Sequence, residues 1–242
     1  IKLVNGGGDD PQLDVETKAV GMVMVLSVDS LQNFVLSADA MRSVSLFSHN
    51  SAEKSLDELA RDYRPLCMTA AKFRDNNTIL GAENNSNIFT LLRNPEESEE
   101  KRRKLEMVGQ FHVGSIINRF QTGSLPKNPS EESGGRHSVV FATVSGMIGL
   151  VAQLSDEEYV FYHRLQSELD SHIRGIGGFS HQRWRGCDFD FQQVPTANFV
   201  DGDLVELFLD LKVDAKEKIA ANLGTSVSDL TQKIEELSSS LH

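Results

Sequence analysis

Three histidines spaced nine residues apart, His163, His172 and His181, are the closest this chain comes to a metal-ligand set. Helical zinc sites need ligands about one turn apart, and a nine-residue spacing puts no two of these imidazoles on adjacent turns of one face. Asp201 and Asp203, in VDGDL, could serve as paired carboxylates or hold a cation. Their place at the start of a helical pattern favours capping, in which a carboxylate accepts free backbone N–H groups. Trp184, the only tryptophan, sits between Arg183 and Arg185, a grouping able to stack on a nucleobase or a peptide aromatic. One aromatic is not a platform, and the favoured role is an anchor tying the helical tail to the β region. His112, in FHVG, reads as a core or turn histidine. No HExxH, GxSxG, P-loop, GxGxxG or EF-hand pattern occurs. The residues therefore predict no catalytic group, no metal site and no cofactor, and a protein that is not an enzyme.

Charge and cysteine usage narrow the setting. A formal net charge of -11 repels phosphate at long range, so direct nucleic-acid contact would need a local basic patch. The one dense basic run, residues 101–104, follows Glu96, Glu97, Glu99 and Glu100 and reads as a self-neutralising solvated loop. Cys67 and Cys187 lie far apart with no CxxC or Cys/His cluster, which fits a reducing compartment, nucleus or cytoplasm. No run approaches the roughly 18 apolar residues of a membrane span, and no secretory pattern is present. The chain starts at Ile1 and is expected to be a fragment.

The elements that must position any site change character midway. From residue 22 to 154 short β-type runs recur about every ten residues, as sandwiches and propellers require: 22–26, 34–37, 44–47 and 68–73. Residues 78–90 (TILGAENNSNIFT) form a hairpin, with Gly81, Asn84, Asn85 and Asn87 suited to positive φ. Residues 108–125 and 141–155 repeat the strand, break, strand pattern. There is no strict repeat and no WD signature, so periodicity alone leaves propeller and sandwich both open. Polar inserts at 94–104 and 122–137, and GGGDD at 6–10, read as exposed loops.

After Leu154 the period becomes about 3.6. Ser155-x-x-Glu158 is a capping box, and Tyr162, Leu165, Leu169, Ile173 and Ile176 form one stripe, stopped by Gly175, Gly177 and Gly178. A second helix is expected from Asp201, with Leu204, Leu207, Phe208 and Leu211 inward. A third runs from Asp214 to Gly224, and a last from about Ser226, with Val227, Leu230, Ile234, Leu237 and Leu241 inward.

The motifs MRSV (41–44), ARDY (60–63), LGAEN (80–84), FHVG (111–114), GMIGL (146–150) and DGDL (201–204) resemble the C-terminal end of one family of large scaffold subunits. That family joins the large subunits of UV-damaged DNA-binding complexes to the A subunits of cleavage and polyadenylation factors and their splicing relatives. The resemblance runs from about residue 22 to 242, and LGAEN with VGxFHxG (108–114) favours the damage-binding branch. It implies a mainly β protein with a helical tail: later blades of a C-terminal β-propeller over residues 1–154, a partial ring of about three blades, then a small α-helical domain over 155–242. It implies a non-catalytic adaptor of a cullin-RING ubiquitin ligase, acting in DNA repair and protein ubiquitination, with an RNA-processing scaffold as the alternative.

Carried over by motif, Val23, Met24 and Leu26 match apolar residues of a cleft that takes WD-repeat substrate receptors, and Arg42 and Arg61 match its basic contributors. Strand alternation would place Met24 and Leu26 on one face. Without the resemblance, the same residues read as blade core and surface charges. Cys67 stands where the family pattern has tryptophan, which removes a large anchor from the expected partner-binding set. The cullin is expected to bind through other parts of the full-length protein, damaged DNA only indirectly through a partner subunit, and no membrane is involved. Localisation is expected to be nuclear, and also cytoplasmic.

Overall fold

Strand-forming segments in the first half of the chain pair with their sequence neighbours, which gives antiparallel meanders. The computed structural model describes residues 2–5, 14–19, 22–123, 138–189 and 192–241. Strands β1 (Lys2–Asn5) and β2 (Asp14–Lys18) pair antiparallel. Strands β3 (Val25–Leu31), β4 (Phe34–Asp39), β5 (Ser43–Asn50) and β6 (Ser55–Arg61) form a four-stranded sheet in sequence order. Strands β7 (Met68–Phe73), β8 (Thr78–Glu83) and β9 (Asn87–Leu92), the short helix α1 (Glu99–Arg102) and strand β10 (Glu106–His112) follow. Their strands make a second four-stranded sheet, again in sequence order. Strands β11 (Ile117–Thr122), β12 (Ser138–Thr143) and β13 (Ile148–Ala152) make a third sheet, of three strands. Successive antiparallel meanders of this size are blades, and the β region is a partial propeller.

The tail begins with α2 (Asp156–His172) and α3 (His181–Trp184). The hairpin β14 (Cys187–Phe189) and β15 (Gln192–Val194) follows, then α4 (Gly202–Glu206), α5 (Val213–Leu223) and α6 (Val227–Leu241). The chain divides into two compact units, Ile1–Phe120 with Ala142–Met147, and Gln121–Phe141 with Ile148–His242.

In the first unit the two four-stranded sheets share one core: Leu36, Ala38, Val44 and Leu46 cluster with Met68, Ile79, Phe89 and Leu91. An ion pair from Lys72 to Asp29, 2.8 Å, and the bond from the Phe73 N–H to the same carboxylate, 2.9 Å, stitch β7 to β3. Gly81 is a strand residue, not a turn residue. A Cβ there would lie 2.5 Å from Phe89 Cε2, so glycine is required for close approach. The turn itself places Ser86 at φ 66°, and none of the asparagines expected at positive φ adopts it.

Two strand expectations need correction. The first strand begins at Val25 instead of residue 22. β6 was not expected at all, because SLDELAR is poor in β-branched residues and reads as helical. Pairing with β5 overrides that local preference. The insert at 94–104 is not a plain loop: it holds α1, with ion pairs Lys101–Glu97 at 3.2 Å and Arg103–Glu99 at 2.8 Å that engage two of the four basic residues of the run. Its end lies along the outer edge of β6, where the Arg61 N–H donates to the Arg103 carbonyl and the Leu105 N–H to the Arg61 carbonyl, both 3.0 Å. Leu105 is buried behind this contact. Residues 6–10 and 124–137, two of the expected loops, lie outside the described residues.

In the second unit the capping box forms as expected, Ser155 and Glu158 each bonding the other's backbone N–H. Tyr162, Leu165 and Leu169 pack with Leu204, Val205, Phe208, Ile219, Leu230, Ile234 and Leu237. The Tyr162 hydroxyl donates to the Lys233 carbonyl at 3.1 Å. Leu207, expected inward, is exposed and Val205 takes the buried place, because the α4 helix tightens into a 3-10 turn at Leu207–Asp210. Gly224 ends α5 at φ 70°, and Ser226 caps α6 by accepting the Asp229 N–H at 3.0 Å. α5 begins at Val213, with Asp214 inside its first turn instead of at the cap.

Candidate protein-binding surface

A buried aspartate organises the segments that carry the expected site residues. Asp39, at the end of β4, is 2 % exposed. Its Oδ2 accepts the N–H groups of Val23 and Met24, at 2.8 and 2.9 Å, and its Oδ1 those of Met41 and Arg42, at 2.9 and 3.1 Å. The approach to β3 and the β4–β5 turn are thereby fastened to one carboxylate, and the Ala40 N–H adds a bond to the Met24 carbonyl at 2.9 Å. An acceptor with two oxygens and several lone pairs suits this, since four convergent donors need an anionic centre.

A second buried aspartate does the same for the β6–β7 connection. Asp62 accepts the Ser43 hydroxyl at 2.7 Å and a forked contact from Arg64, with Nε–Oδ1 at 2.9 Å and Nη2–Oδ2 at 2.8 Å. The Ser43 N–H donates to the Leu66 carbonyl at 3.2 Å, and the Asn84 N–H to the Cys67 carbonyl at 3.0 Å. Ser43, at φ 55°, accepts a strained backbone to reach both partners. Arg42 and Cys67 are thus joined through hydrogen bonds at Ser43 and Leu66. Arg61 stands one residue before Asp62, its guanidinium 4.4 Å from the Tyr63 ring centroid and 3.9 Å from Glu58.

The apolar members of the set are exposed, not core: Val23, Met24 and Leu26 are 63 %, 55 % and 48 % exposed. Met24 does not owe its exposure to strand alternation, because it precedes β3 and the β3–β4 register shifts between Val25 and Ser27. Leu26 and Val28 do alternate outward along β3. Val28, Met41 and Tyr63 are exposed as well, and sequence reasoning did not single them out. The available signal was the Asp39-x-Met41-Arg42 spacing, in which an aspartate bonds backbone two and three residues on. Cys67 is a half-buried free thiol.

The residues first considered for chemistry are dispersed. His163 and His172 are exposed on α2, whereas His181 is buried with Nε2 2.8 Å from Asp201 Oδ2. Asp201 does not cap α4 with its side chain. It also accepts from Arg185 Nε at 2.6 Å, while its own N–H donates to Gln166 at 2.7 Å. Burial opposes ionisation of Asp201, yet the His181 and Arg185 contacts outweigh it and hold the carboxyl below its usual value. Arg185 also lies 5.8 Å over the Trp184 ring. Among the described residues no three His, Cys, Asp or Glu side chains are placed to hold a metal ion, and no helix is long and apolar enough to cross a membrane.

Comparison with known proteins supplies the lineage of this fold. The model of the CPSF A subunit region matches residues 7–210. This chain belongs to the CPSF A subunit family. Within that family it is 39 % identical over 228 residues to DNA damage-binding protein 1 of Oryza sativa subsp. japonica and to DNA damage-binding protein 1a of Arabidopsis thaliana. It is 38 % identical over 232 residues to DNA damage-binding protein 1 of Solanum lycopersicum. These alignments cover 93 to 95 % of the chain, which spans about a fifth, 21 %, of the length of each relative. The resemblance read from LGAEN, FHVG and DGDL is borne out, as is the mainly β architecture with a helical tail.

Proposed function

We propose that this CPSF A subunit family chain works without catalysis, as part of a scaffold that joins WD-repeat substrate receptors to a cullin-RING ubiquitin ligase in DNA repair and protein turnover. The reading is supported by the surface assembled around Asp39, where exposed Val23, Met24 and Met41 are fastened beside Arg42. Methionine repacks against differently shaped partners at little cost, and an arginine next to it can clamp a carboxylate or a helix C-terminus. Similarity to proteins named for binding damaged DNA supports the repair setting. The chain's acidity favours contact with damaged DNA through a partner subunit. The cullin contact belongs to other parts of the full-length protein, and the setting is nuclear and also cytoplasmic.

Capture experiments with the full-length protein test this. Arg61→Glu and Met24→Asp each weaken recovery of WD-repeat receptors while circular dichroism stays that of the parent. Undiminished recovery with both variants overturns the receptor surface. Recovery of polyadenylation or spliceosome subunits in place of cullin and receptors identifies an RNA-processing scaffold instead.

A further inference from the structure

Of the six methionines in the chain, Met24 and Met41 stand on the surface that Asp39 organises. Met24 is 55 % and Met41 64 % exposed, and the amide nitrogen of each lies 2.9 Å from an oxygen of the Asp39 carboxylate. The Met24 carbonyl also accepts the Ala40 N–H at 2.9 Å. The backbone that carries each open thioether is thereby tied down. The other methionines are less open. Met147 is 39 % exposed between β12 and β13, and Met68 is wholly buried. Met22 packs against the cluster of Val35, Phe47 and Leu56, and the Met107 sulfur accepts from Arg64 Nη1 at 2.8 Å.

The exposed neighbours Val23, Leu26 and Val28 are hydrocarbon and do not change polarity under oxidants. A thioether does: two-electron oxidation makes it a sulfoxide, which is polar, chiral and a strong hydrogen-bond acceptor. That change removes the property which lets methionine repack against differently shaped apolar partners. Accessibility decides which methionines react, so exposure ranks Met41 and Met24 ahead of Met147, and Met147 ahead of Met68.

We propose that Met24 and Met41 form a reversible oxidation site through which peroxide detaches receptors from this surface. The proposal rests on the receptor reading above and adds its regulation. In the forward step a sulfur lone pair attacks one peroxide oxygen, and the S–O bond forms as the O–O bond breaks. The sulfur loses two electrons, and the departing hydroxide takes the proton of the transferred hydroxyl and leaves as water. In the reverse step a dithiol reductase returns two electrons, ends as a disulfide, and releases the oxygen as water. A sulfoxide pressed against an apolar receptor contact is a polar group buried without a partner, which weakens capture about tenfold.

The test treats the full-length protein with hydrogen peroxide and quenches with catalase. Samples are divided between peptide mass spectrometry and capture of WD-repeat receptors, each protein being compared with its own untreated sample. Sulfoxide accumulates first at Met41 and Met24, later at Met147, and last at Met68. Capture by the parent falls about tenfold. Epimer-specific methionine sulfoxide reductases with dithiothreitol restore it, whereas dithiothreitol alone does not, which separates the methionines from the Cys67 thiol. In the Met24→Leu, Met41→Leu double variant, capture after the dose equals capture before it. Undiminished capture by the oxidised parent, equal losses in parent and double variant, recovery with dithiothreitol alone, or sulfoxide at Met68 ahead of Met24 overturns the proposal. An untreated parent that captures no receptor overturns the receptor reading, and this one with it.

Discussion

The Asp39 carboxylate holds the Met24 N–H at 2.9 Å, and the same side chain holds the Arg42 N–H at 3.1 Å, so one buried anion sets an exposed apolar residue and a half-buried cation in a common frame. Replacing Asp39 by Ala strands four backbone donors. The expected loss is about 2 to 4 kcal/mol of stability, read by urea denaturation. Asp39→Asn keeps one acceptor oxygen and loses less. Receptor affinity falls further in Asp39→Ala than stability alone explains, because Val23, Met24 and Arg42 lose their shared tether.

Glu83 gives the fold a pH signature. It is 1 % exposed, its Oε1 lacks a hydrogen-bond partner, and burial pushes its pKa up despite the Asn85 and Asn87 N–H groups. A carboxyl raised in the folded state above its unfolded value binds protons preferentially in the fold. Its ionisation therefore opposes folding at neutral pH, and the penalty fades as pH drops through the raised value. Glu83→Gln is expected to raise the melting temperature at neutral pH, with the gain shrinking in acid. A lower melting temperature for Glu83→Gln at neutral pH contradicts this.

Asp201 behaves conversely. Its pKa is lowered in the fold, so its contribution is present at neutral pH and is lost as pH falls below the unfolded carboxylate value and through the folded one. Asp201→Asn leaves His181 and Arg185 without their shared partner and costs about 3 kcal/mol. Fluorescence of Trp184, beside Arg185, reports the loosening of this unit in both the variant and the acidified parent. Identical denaturation curves for parent and Asp201→Asn at neutral pH sink the assignment.

Gly81 tests the packing of the first unit. Gly81→Ala drives a methyl into the Phe89 ring and is expected to cost about 1 to 3 kcal/mol. Phe89→Leu in the same chain recovers part of that loss, which a thermal melt of the double variant measures.

Legibility from residues alone followed the strength of local signals. The strand at Met68–Phe73, the capping box at Ser155 and the left-handed stop at Gly224 are encoded by a few adjacent side chains, and each appears where the spacing places it. β6 was hidden because its residues favour a helix until β5 offers a partner. Asp201 misled for a related reason. A carboxylate at a helix start usually caps, but here His181 and Arg185, brought from 16 to 20 residues away, compete for it and win. The proposed site residues were named from motifs, whereas Asp39 also reaches Val23 and Met24, 16 and 15 residues away, beyond any short pattern.

The backbone of Arg103 to Leu105 running beside Arg61 seals the outer border of the first meander, an edge that would otherwise invite another chain to add a strand. Residues 95 and 96, ahead of α1 and its ion pairs, can lengthen or shorten at little cost, while a shift of register at Arg103 or Leu105 drags Arg61 with it. Drift in this insert among relatives would shift the place of Arg61 without altering that side chain itself.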